Sequence, residues 1–336
     1  MTKKKYILLI LLLAVIIATQ GFYIASGLKK TEADIEYQKA FIRSNKVFSL
    51  VLPDEVQFAG EKAPLNLYYV REGLDKELTI NTYMHATTLL ILKRTGRYFG
   101  TIVPILTKNG IPEDFKYMVL AESGLIQTRS GSGAAGFWQI MPDTGKEAGL
   151  EITEEVDERY HIVKSTEAAC KIIKGFYNKY GTWSSVAAAY NGGGGRLSRA
   201  MNDQKVTSFF DLHLPDETMR YLYRIYSFKL IYESPTHYGY FIRNKDLYPP
   251  LPTYQVKVDS TIENLADFAK AQGVTYRLLK EYNPWLRKDK LSVAPGKVYY
   301  IDLPEKGFEN PENIYRGIKN PEYIFNDTIN SRNLLR

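Results

Sequence analysis

Between residues 96 and 245, apolar side chains recur at the spacing of α-helices, and no stretch alternates apolar and polar residues as a strand does. Gly124 and Gly181 each follow such an apolar stripe, and glycine is the residue that most often ends a helix at this position. Because an apolar stripe commits a helix to pack against others, the pattern predicts a mainly α domain over residues 96–246. Predicted helices lie near residues 112–123, 165–180, 184–191 and 216–232.

A proline-rich link at residues 248–252 separates this stretch from a segment of different character. Residues 253–304 follow the pattern strand, helix, helix, strand, which predicts a small α+β module of βααβ order. The fold class predicted for the whole chain is therefore mainly α, followed by this α+β module. The link suggests that the module is separable from the helical domain.

The N-terminus carries a run of twenty uncharged residues, 6–25, directly behind Lys3, Lys4 and Lys5. Such a run is long enough to cross a bilayer as a helix, and the lysines favour the cytoplasmic side. Residues 1–27 are thus predicted to be a signal anchor in the inner membrane. A cleaved signal peptide is the alternative, since residues 25–27 offer a small-residue cleavage site. Both place the rest of the chain in the periplasm, within the cell envelope.

Two flanking regions show no chemistry. Residues 28–95 form a predicted helical N-terminal region, with signals around residues 34–48 and 81–94, and residues 305–336 form a polar tail.

Charge and ligand-type residues exclude several classes of function. The formal net charge is +7, but residues 1–30 hold five lysines and no acid, which leaves about +2 for the remainder. The basic charge is therefore not spread as a nucleic-acid-binding surface would need. Cys170 stands alone in a helical stripe, where a small buried residue fits. The four histidines are too scattered for a metal site, and no metal is expected; they are His85, His161, His213 and His237.

Glu122 is the first candidate for chemistry. It shares a helix face with Phe115 and Val119, and a loop of small residues, 130–136, follows. A carboxylate on an apolar face is costly to ionise, so its pKa should rise and it could protonate a leaving oxygen near neutral pH. The alternative is a structural glutamate paired with a buried arginine or lysine.

Residues 131–136 also satisfy the pattern G-x-G-x-x-G. A dinucleotide site needs a strand before this pattern and a helix after it, whereas a helix precedes it here. We therefore expect no nucleotide.

The second motif is Tyr190 and Asn191, followed by four glycines at 192–195. Asn191 could present its amide to an N-acetyl group, and Tyr190 a hydroxyl near the reacting carbon. The alternative is a glycine-rich end of a helix, while a phosphate loop would need a following Gly-Lys-Ser/Thr.

Together these motifs resemble the lytic transglycosylases related to goose-type lysozyme, most closely the membrane-bound lytic murein transglycosylase D type. The resemblance covers about residues 96–235. It is carried by Glu122-Ser123 and by residues 136–142, 164–169, 189–191 and 214–221.

This resemblance implies a lysozyme-like domain that needs no cofactor and acts on peptidoglycan glycan strands. Glu122 would be the general acid/base that splits the β-1,4 bond between N-acetylmuramic acid and N-acetylglucosamine, leaving 1,6-anhydromuramyl products. The side chains implied to bind the sugar are Ser123, Ser130, Gln139, Met141, Tyr190, Asn191 and Tyr221. The chain departs from the family pattern at Gly193 and Gly194 and at residues 161–163, which affects fine specificity.

Residues 254–303 resemble a LysM module, which implies binding of glycans that contain N-acetylglucosamine. Matching stretches are residues 254–258, 265–269, 278–283 and 295–301, while residues 258–260 depart from the usual Gly-Asp. The module is expected to localise the enzyme rather than to catalyse.

Two other functions remain open. A hydrolytic muramidase would use water and needs a second carboxylate, for which Asp143, Glu147 and Asp157 are available. A catalytically silent wall-binding protein would carry the same motifs without turnover.

Overall fold

The structure is a computed structural model that describes residues 47–308 and, in addition, residues 35, 36, 39, 310, 313 and 314. The predicted N-terminal membrane segment and most of the polar tail lie outside the described residues. Within the described part, no helix combines the length and the apolar character that a membrane crossing requires.

The described residues before the link are mostly helical, as predicted. A short hairpin of β1 (Gln57–Phe58) and β2 (Glu61–Lys62) comes first. The helices are α1 (Tyr68–Tyr83), α2 (His85–Lys108), α3 (Phe115–Ser123), α4 (Pro142–Glu147), α5 (Ile162–Tyr180), α6 (Trp183–Gly192), α7 (Gly194–Gln204) and α8 (Asp216–Glu233). Single 3-10 turns lie at Glu158–Tyr160, Phe209–Asp211, Pro235–Tyr238 and Asn244–Asp246.

Glycines end the helices that carry the site. Gly124 follows α3 with φ 58°, and Gly181 follows α5 with φ 72°, so both predicted stops are confirmed. Helix α6 ends at Gly192, within the four glycines, as predicted, but α7 then begins at Gly194, a helix that the sequence did not predict. A Cβ at Gly194 would lie 2.8 Å from the ring of Phe176, so a glycine there lets α7 approach α5 closely.

The region before residue 96 is part of the helical core. Helix α2 runs through residue 96, so the predicted boundary at 95/96 falls inside one helix. Helix α1 packs along α8 and buries Val70 and Leu74 in the same apolar cluster as Leu222 and Ile225. That cluster also includes residues of α3, and α8 packs directly against α3 beside Glu122.

The C-terminal module has the predicted βααβ order. Strand β3 (Thr253–Val258) pairs antiparallel with β4 (Tyr299–Pro304), with Val256 opposite Ile301. Between them lie α9 (Leu265–Ala271) and α10 (Tyr276–Tyr282). Asn264 caps α9 and Thr275 caps α10 through their side-chain oxygens.

The link does not hang free between the two parts. The Tyr248 N–H donates to the carbonyl of Lys93 at 2.9 Å, and Arg97 Nε donates to the carbonyl of Pro249 at 3.1 Å. At Gly96 a Cβ would lie 2.9 Å from Leu247 Cβ, so the link rests directly on α2. The link is therefore packed rather than solvated, and the separability of the module stays a prediction.

Candidate active site

Glu122 lies in the last turn of α3, where the helix turns one face to the core. Phe115 and Val119 on that face are fully buried. The Glu122 side chain is half-buried beside them, so its carboxyl group meets little water. Gly124 then ends the helix and leads the chain into the loop that follows.

The direct partner of Glu122 is a tyrosine on α8. The Tyr221 hydroxyl donates to Glu122 Oε1 at 2.5 Å, across 99 residues of sequence. Tyr221 is 1% exposed and α8 packs against α3, so the hydroxyl is held in place by the core. Burial and the nearby Glu122 carboxylate raise the pKa of Tyr221 well above its ordinary value, so the phenol stays protonated and donates.

Burial raises the pKa of Glu122 to about 7, and the charge of Glu217 adds to the increase. The Tyr221 hydrogen bond and the charge of Arg224 act in the opposite direction, so burial outweighs both. Glu122 is therefore protonated in a large fraction of molecules near neutral pH. That is the state from which a carboxyl group can act as a general acid.

The loop after α3 is shaped by two residues with positive φ. Gly136 has φ 79°, and a Cβ there would lie 1.9 Å from the carbonyl oxygen of Arg159, so no other residue fits. Gln139 has φ 47°, and its side-chain nitrogen donates to the carbonyl of Gly136 at 2.7 Å. The Ser130 hydroxyl accepts the Ala134 N–H at 3.0 Å and closes the turn at the start of the loop.

Two hydroxyl groups predicted to bind sugar tie this loop to the helices. Ser123 Oγ donates to the carbonyl of Phe137, and Tyr190 Oη donates to the carbonyl of Trp138, both at 2.7 Å. The indole N–H of Trp138 is itself bonded to Thr166 at 2.8 Å. The loop is thus fixed from α3, α5 and α6 together.

Of the eight predicted site residues, Tyr221 is bonded directly to Glu122, and Tyr190 lies near enough for the charge of Glu122 to act on it. The pKa of Tyr190 is raised well above its usual value by burial and by the charge of Glu122. Asn191 follows on the same helix and is half-buried, while Met141 is 43% exposed at the far end of the loop. Direct sugar contacts by the seven predicted binding residues remain predictions.

The carboxylates proposed for a hydrolase are placed differently from one another. Asp157 is buried and forms an ion pair with Arg159 through two hydrogen bonds, at 2.9 and 2.7 Å. Both of its carboxylate oxygens therefore already have a partner. Asp143 and Glu147 are exposed on α4. Glu217, in the first turn of α8, is the carboxylate whose charge acts on Glu122.

Sequence reasoning missed Glu77, although a signal was present. It stands on the apolar stripe of α1 with Val70, Leu74 and Leu78, and it is 1% exposed. Its carboxylate accepts hydrogen bonds from Arg220 at 2.5 Å and Arg224 at 3.3 Å. Glu77 therefore holds the charged face of α8 on either side of Tyr221. Sequence reasoning also missed Arg159, which donates hydrogen bonds to the carbonyls of Gly133 and Ile140 in the loop after α3.

Within the described ranges, no group of three or more His, Cys, Asp or Glu side chains could hold a metal ion. Cys170 is buried, as its helical stripe predicted, and burial raises the pKa of its thiol to about 12.

Comparisons with known proteins agree with this architecture. Residues 105–211 match the transglycosylase SLT domain, and residues 254–307 match the soluble lytic transglycosylase C-terminal LysM-like domain. The first match includes Glu122, the loop after it, Tyr190 and Asn191, whereas Tyr221 lies beyond its end.

Two relatives add to these matches. The chain is 30% identical to membrane-bound lytic murein transglycosylase D of Escherichia coli over 70% of this chain and 52% of that protein. It is 30% identical to a putative tributyltin chloride resistance protein of an Alteromonas species, over 37% of this chain and 60% of that protein. The chain thus spans about half the length of the first relative. It carries an SLT transglycosylase domain followed by a LysM-like domain, which confirms the predicted resemblance and fold class.

Proposed function

We propose that this chain is a peptidoglycan lytic transglycosylase with Glu122 as its general acid/base. The observation that carries the proposal is the buried Glu122 carboxyl group, with a pKa of about 7 and a tyrosine hydroxyl as its hydrogen-bond partner. It lies inside the stretch that matches the transglycosylase SLT domain. Its half-protonated state near neutral pH suits a group that must first give a proton and then take one.

The reaction needs one carboxyl group and no water. Protonated Glu122 gives its proton to the glycosidic oxygen between N-acetylmuramic acid and N-acetylglucosamine, and the C1–O bond breaks. The Glu122 carboxylate then removes the proton of the muramyl 6-hydroxyl as that oxygen bonds to C1. Because the nucleophile belongs to the substrate, its effective concentration is high and no second carboxylate is required.

The mass of the products tests this mechanism. Purified protein incubated with peptidoglycan should release fragments with 1,6-anhydromuramyl ends, each one water lighter than a product of hydrolysis. Glu122→Gln should release them at least about a hundredfold more slowly, and Glu217→Gln should release the same fragments as the wild type. Wild-type fragments that all bear free reducing ends would refute the transglycosylase. A wild type that cleaves nothing in a gel containing peptidoglycan would show a catalytically silent wall-binding protein.

A hydrolytic muramidase is the second candidate, and Glu217 is the observation that favours it. Its carboxylate acts electrostatically on Glu122 from the exposed start of α8, where it could activate water. In that case Glu217→Gln would abolish the release of reducing ends, a result that the transglycosylase does not predict.

We further propose that Ser130, Gln139, Met141 and Asn191 form the sugar-binding side of the site around Glu122, with Ser123, Tyr190 and Tyr221 supporting it. Alanine at the half-buried Asn191 should raise KM more than it lowers kcat, because an amide that holds an N-acetyl group contributes to ground-state binding. An unchanged KM would place the acetamide elsewhere.

For the LysM-like module we propose binding of N-acetylglucosamine-containing glycan. It exposes Tyr254 and Tyr300, which stand on neighbouring strands but on opposite faces of the sheet, so each offers a separate aromatic surface to a sugar. Tyr300→Ala should weaken sedimentation of the full-length protein with insoluble sacculi, while the exposed Lys270→Ala serves as the control.

The cell envelope is the location we propose, with residues 1–27 as an inner-membrane anchor or a cleaved signal peptide. The basis is the uncharged run behind three lysines, and the relative from Escherichia coli is itself named as membrane-bound. An anchored protein should stay with membranes in high salt and keep its N-terminal mass. A mature N-terminus near Leu28 would show cleavage instead.

A further inference from the structure

The LysM-like module shares a hydrophobic core with the loop between α3 and α4, residues 125–141, which we call the catalytic loop. Ala135, in the middle of the loop that follows Glu122, is fully buried in one cluster with Leu279, Leu286 and Ile301 of the module. Val156, from the segment before α5, belongs to the same cluster and is 2% exposed. The module therefore packs directly against this loop.

Backbone hydrogen bonds fix the module to residues 155–157. The Asp157 N–H donates to the carbonyl of Trp285 at 2.9 Å, and the Arg287 N–H donates to the carbonyl of Glu155 at 2.7 Å. Val156 pairs with Leu286 between these two hydrogen bonds, so residues 155–157 and 285–287 form a short antiparallel β-bridge. The Glu155 side chain then accepts the Ser292 N–H at 2.7 Å.

Arg159 carries this contact into the catalytic loop. Asp157, held by Trp285, binds the guanidinium of Arg159 through two hydrogen bonds. The same guanidinium donates to the carbonyls of Gly133 at 2.8 Å and Ile140 at 3.1 Å, at the two ends of the loop. Arg159 is 4% exposed, so these bonds are shielded from water.

The loop in turn contacts the residues around Glu122. Ala135 and Ile140 exchange backbone hydrogen bonds across it, both at 3.1 Å. Phe137, between them, accepts the hydroxyl of Ser123, the residue next to Glu122. The path from the module to the acid is therefore continuous, through Trp285, Asp157, Arg159 and the loop.

We infer that the LysM-like module holds the catalytic loop in its working position, with Arg159 as the positioning residue that transmits the contact. This inference rests on the proposed function of Glu122 and gives the module a second role besides glycan binding. Misplacing a catalytic group by about 1 Å costs on the order of a hundredfold in rate, so such support has a measurable effect.

The test uses the full-length protein with the substitution Glu155→Lys. It removes the acceptor of the Ser292 N–H, and it replaces the salt bridge between Glu155 and Lys290, at 3.2 Å, with two like charges. Asp267→Lys makes the same change at an exposed position of α9 and is the matched control. Hydrogen exchange of the amides in residues 133–140 should accelerate about tenfold or more in Glu155→Lys and stay at the wild-type rate in the control. Arg159→Lys, which keeps the charge but cannot reach both carbonyls, should accelerate it as well.

Activity gives the second measurement. Both Glu155→Lys and Arg159→Lys should lower kcat on soluble glycan fragments about tenfold, with KM within about twofold of the wild type. A loosened loop admits water to Glu122 and lowers its pKa, so activity should be lost at a lower pH than in the wild type, a shift that mere loss of folded protein does not produce.

Exchange rates and kcat in Glu155→Lys equal to those of Asp267→Lys would overturn the inference. If the wild type itself cleaves no peptidoglycan, the proposed function fails, but the exchange measurement still decides whether the module holds the loop.

Discussion

Two glutamates contact the same helix in this protein, the buried Glu77 and the half-buried Glu122, and their partners on that helix differ. Glu77 on α1 lies against Arg220 and Arg224, two guanidinium groups that flank Tyr221 on α8. Glu122 on α3 meets Tyr221 itself, a neutral hydroxyl group. Both stand on apolar helix faces, so burial alone does not distinguish them.

The difference lies in the charge that compensates burial. At Glu77 two arginines donate hydrogen bonds to the carboxylate and hold α1 against α8. At Glu122 the direct partner is a neutral hydroxyl group. Its hydrogen bond and the charge of Arg224 together do not offset desolvation, so the pKa rises to about 7. The same residue type therefore joins two helices at one position and has a raised pKa at the other.

The largest expected effect is the loss of rate in Glu122→Gln. Glutamine keeps the size and can still accept the Tyr221 hydrogen bond, but it cannot transfer a proton. We expect the rate to fall by roughly two to four orders of magnitude, measured as release of soluble fragments from peptidoglycan. Glu77→Gln, the matched change at the other glutamate, should lower the rate by less than about tenfold. Equal losses of rate in both variants would erase the distinction.

For stability the order should reverse. Glu77→Gln removes the carboxylate that Arg220 and Arg224 share and leaves Arg220 only its longer contact with Asp216 at 3.4 Å. We expect the free energy of unfolding at pH 6 to fall by about 1–3 kcal/mol in urea titrations. This is below the range for fully buried pairs because both arginines are partly exposed. Glu122→Gln should change it by less than about 1 kcal/mol at the same pH. A Glu77→Gln protein as stable as the wild type would show that these hydrogen bonds contribute nothing.

Tyr221→Phe should separate the hydrogen bond from burial. The hydroxyl lowers the pKa of Glu122, so its removal should raise that pKa further. Activity that needs protonated Glu122 is lost as pH rises through this pKa, so the alkaline decline should move to higher pH by up to about one unit. We expect about a tenfold lower rate, because the carboxyl group also loses its orientation. A decline that moves to lower pH would contradict this assignment.

The smallest effect concerns stability above neutral pH. The folded-state pKa of Glu122, about 7, is higher than the ordinary glutamate value, so protonation favours the folded state at low pH. That contribution is lost as pH rises from the ordinary value through about 7, where the carboxylate must ionise in a desolvated site. Between pH 5 and pH 8 the Glu122→Gln variant should therefore gain about 1–2 kcal/mol relative to the wild type, less than full burial would give because the side chain is half-buried. Thermal melts at the two pH values measure it, and parallel curves for both proteins would contradict the raised pKa.

Local chemistry in the sequence was enough for much of the fold. Helix periodicity and the stops at Gly124 and Gly181 depend on neighbours within one or two turns, so they could be predicted. The βααβ order of the module followed from the same local signals. Glu122 could be singled out because it interrupts an apolar face beside a loop of small residues.

The amino-acid sequence by itself therefore determined which segments are helical, where they end and which glutamate carries the family motif. Only the tertiary structure decided which glutamate receives the arginines, because Arg220 and Glu77 are 143 residues apart in the chain, and Tyr221 and Glu122 are 99 apart. The docking of the LysM-like module on the catalytic loop was decided in the same way, and the link that looked like a spacer lies packed on α2. Such partners are selected by the shape and polarity of packed surfaces, which no local pattern encodes. For that reason the raised pKa of Glu122 became visible only in the folded protein.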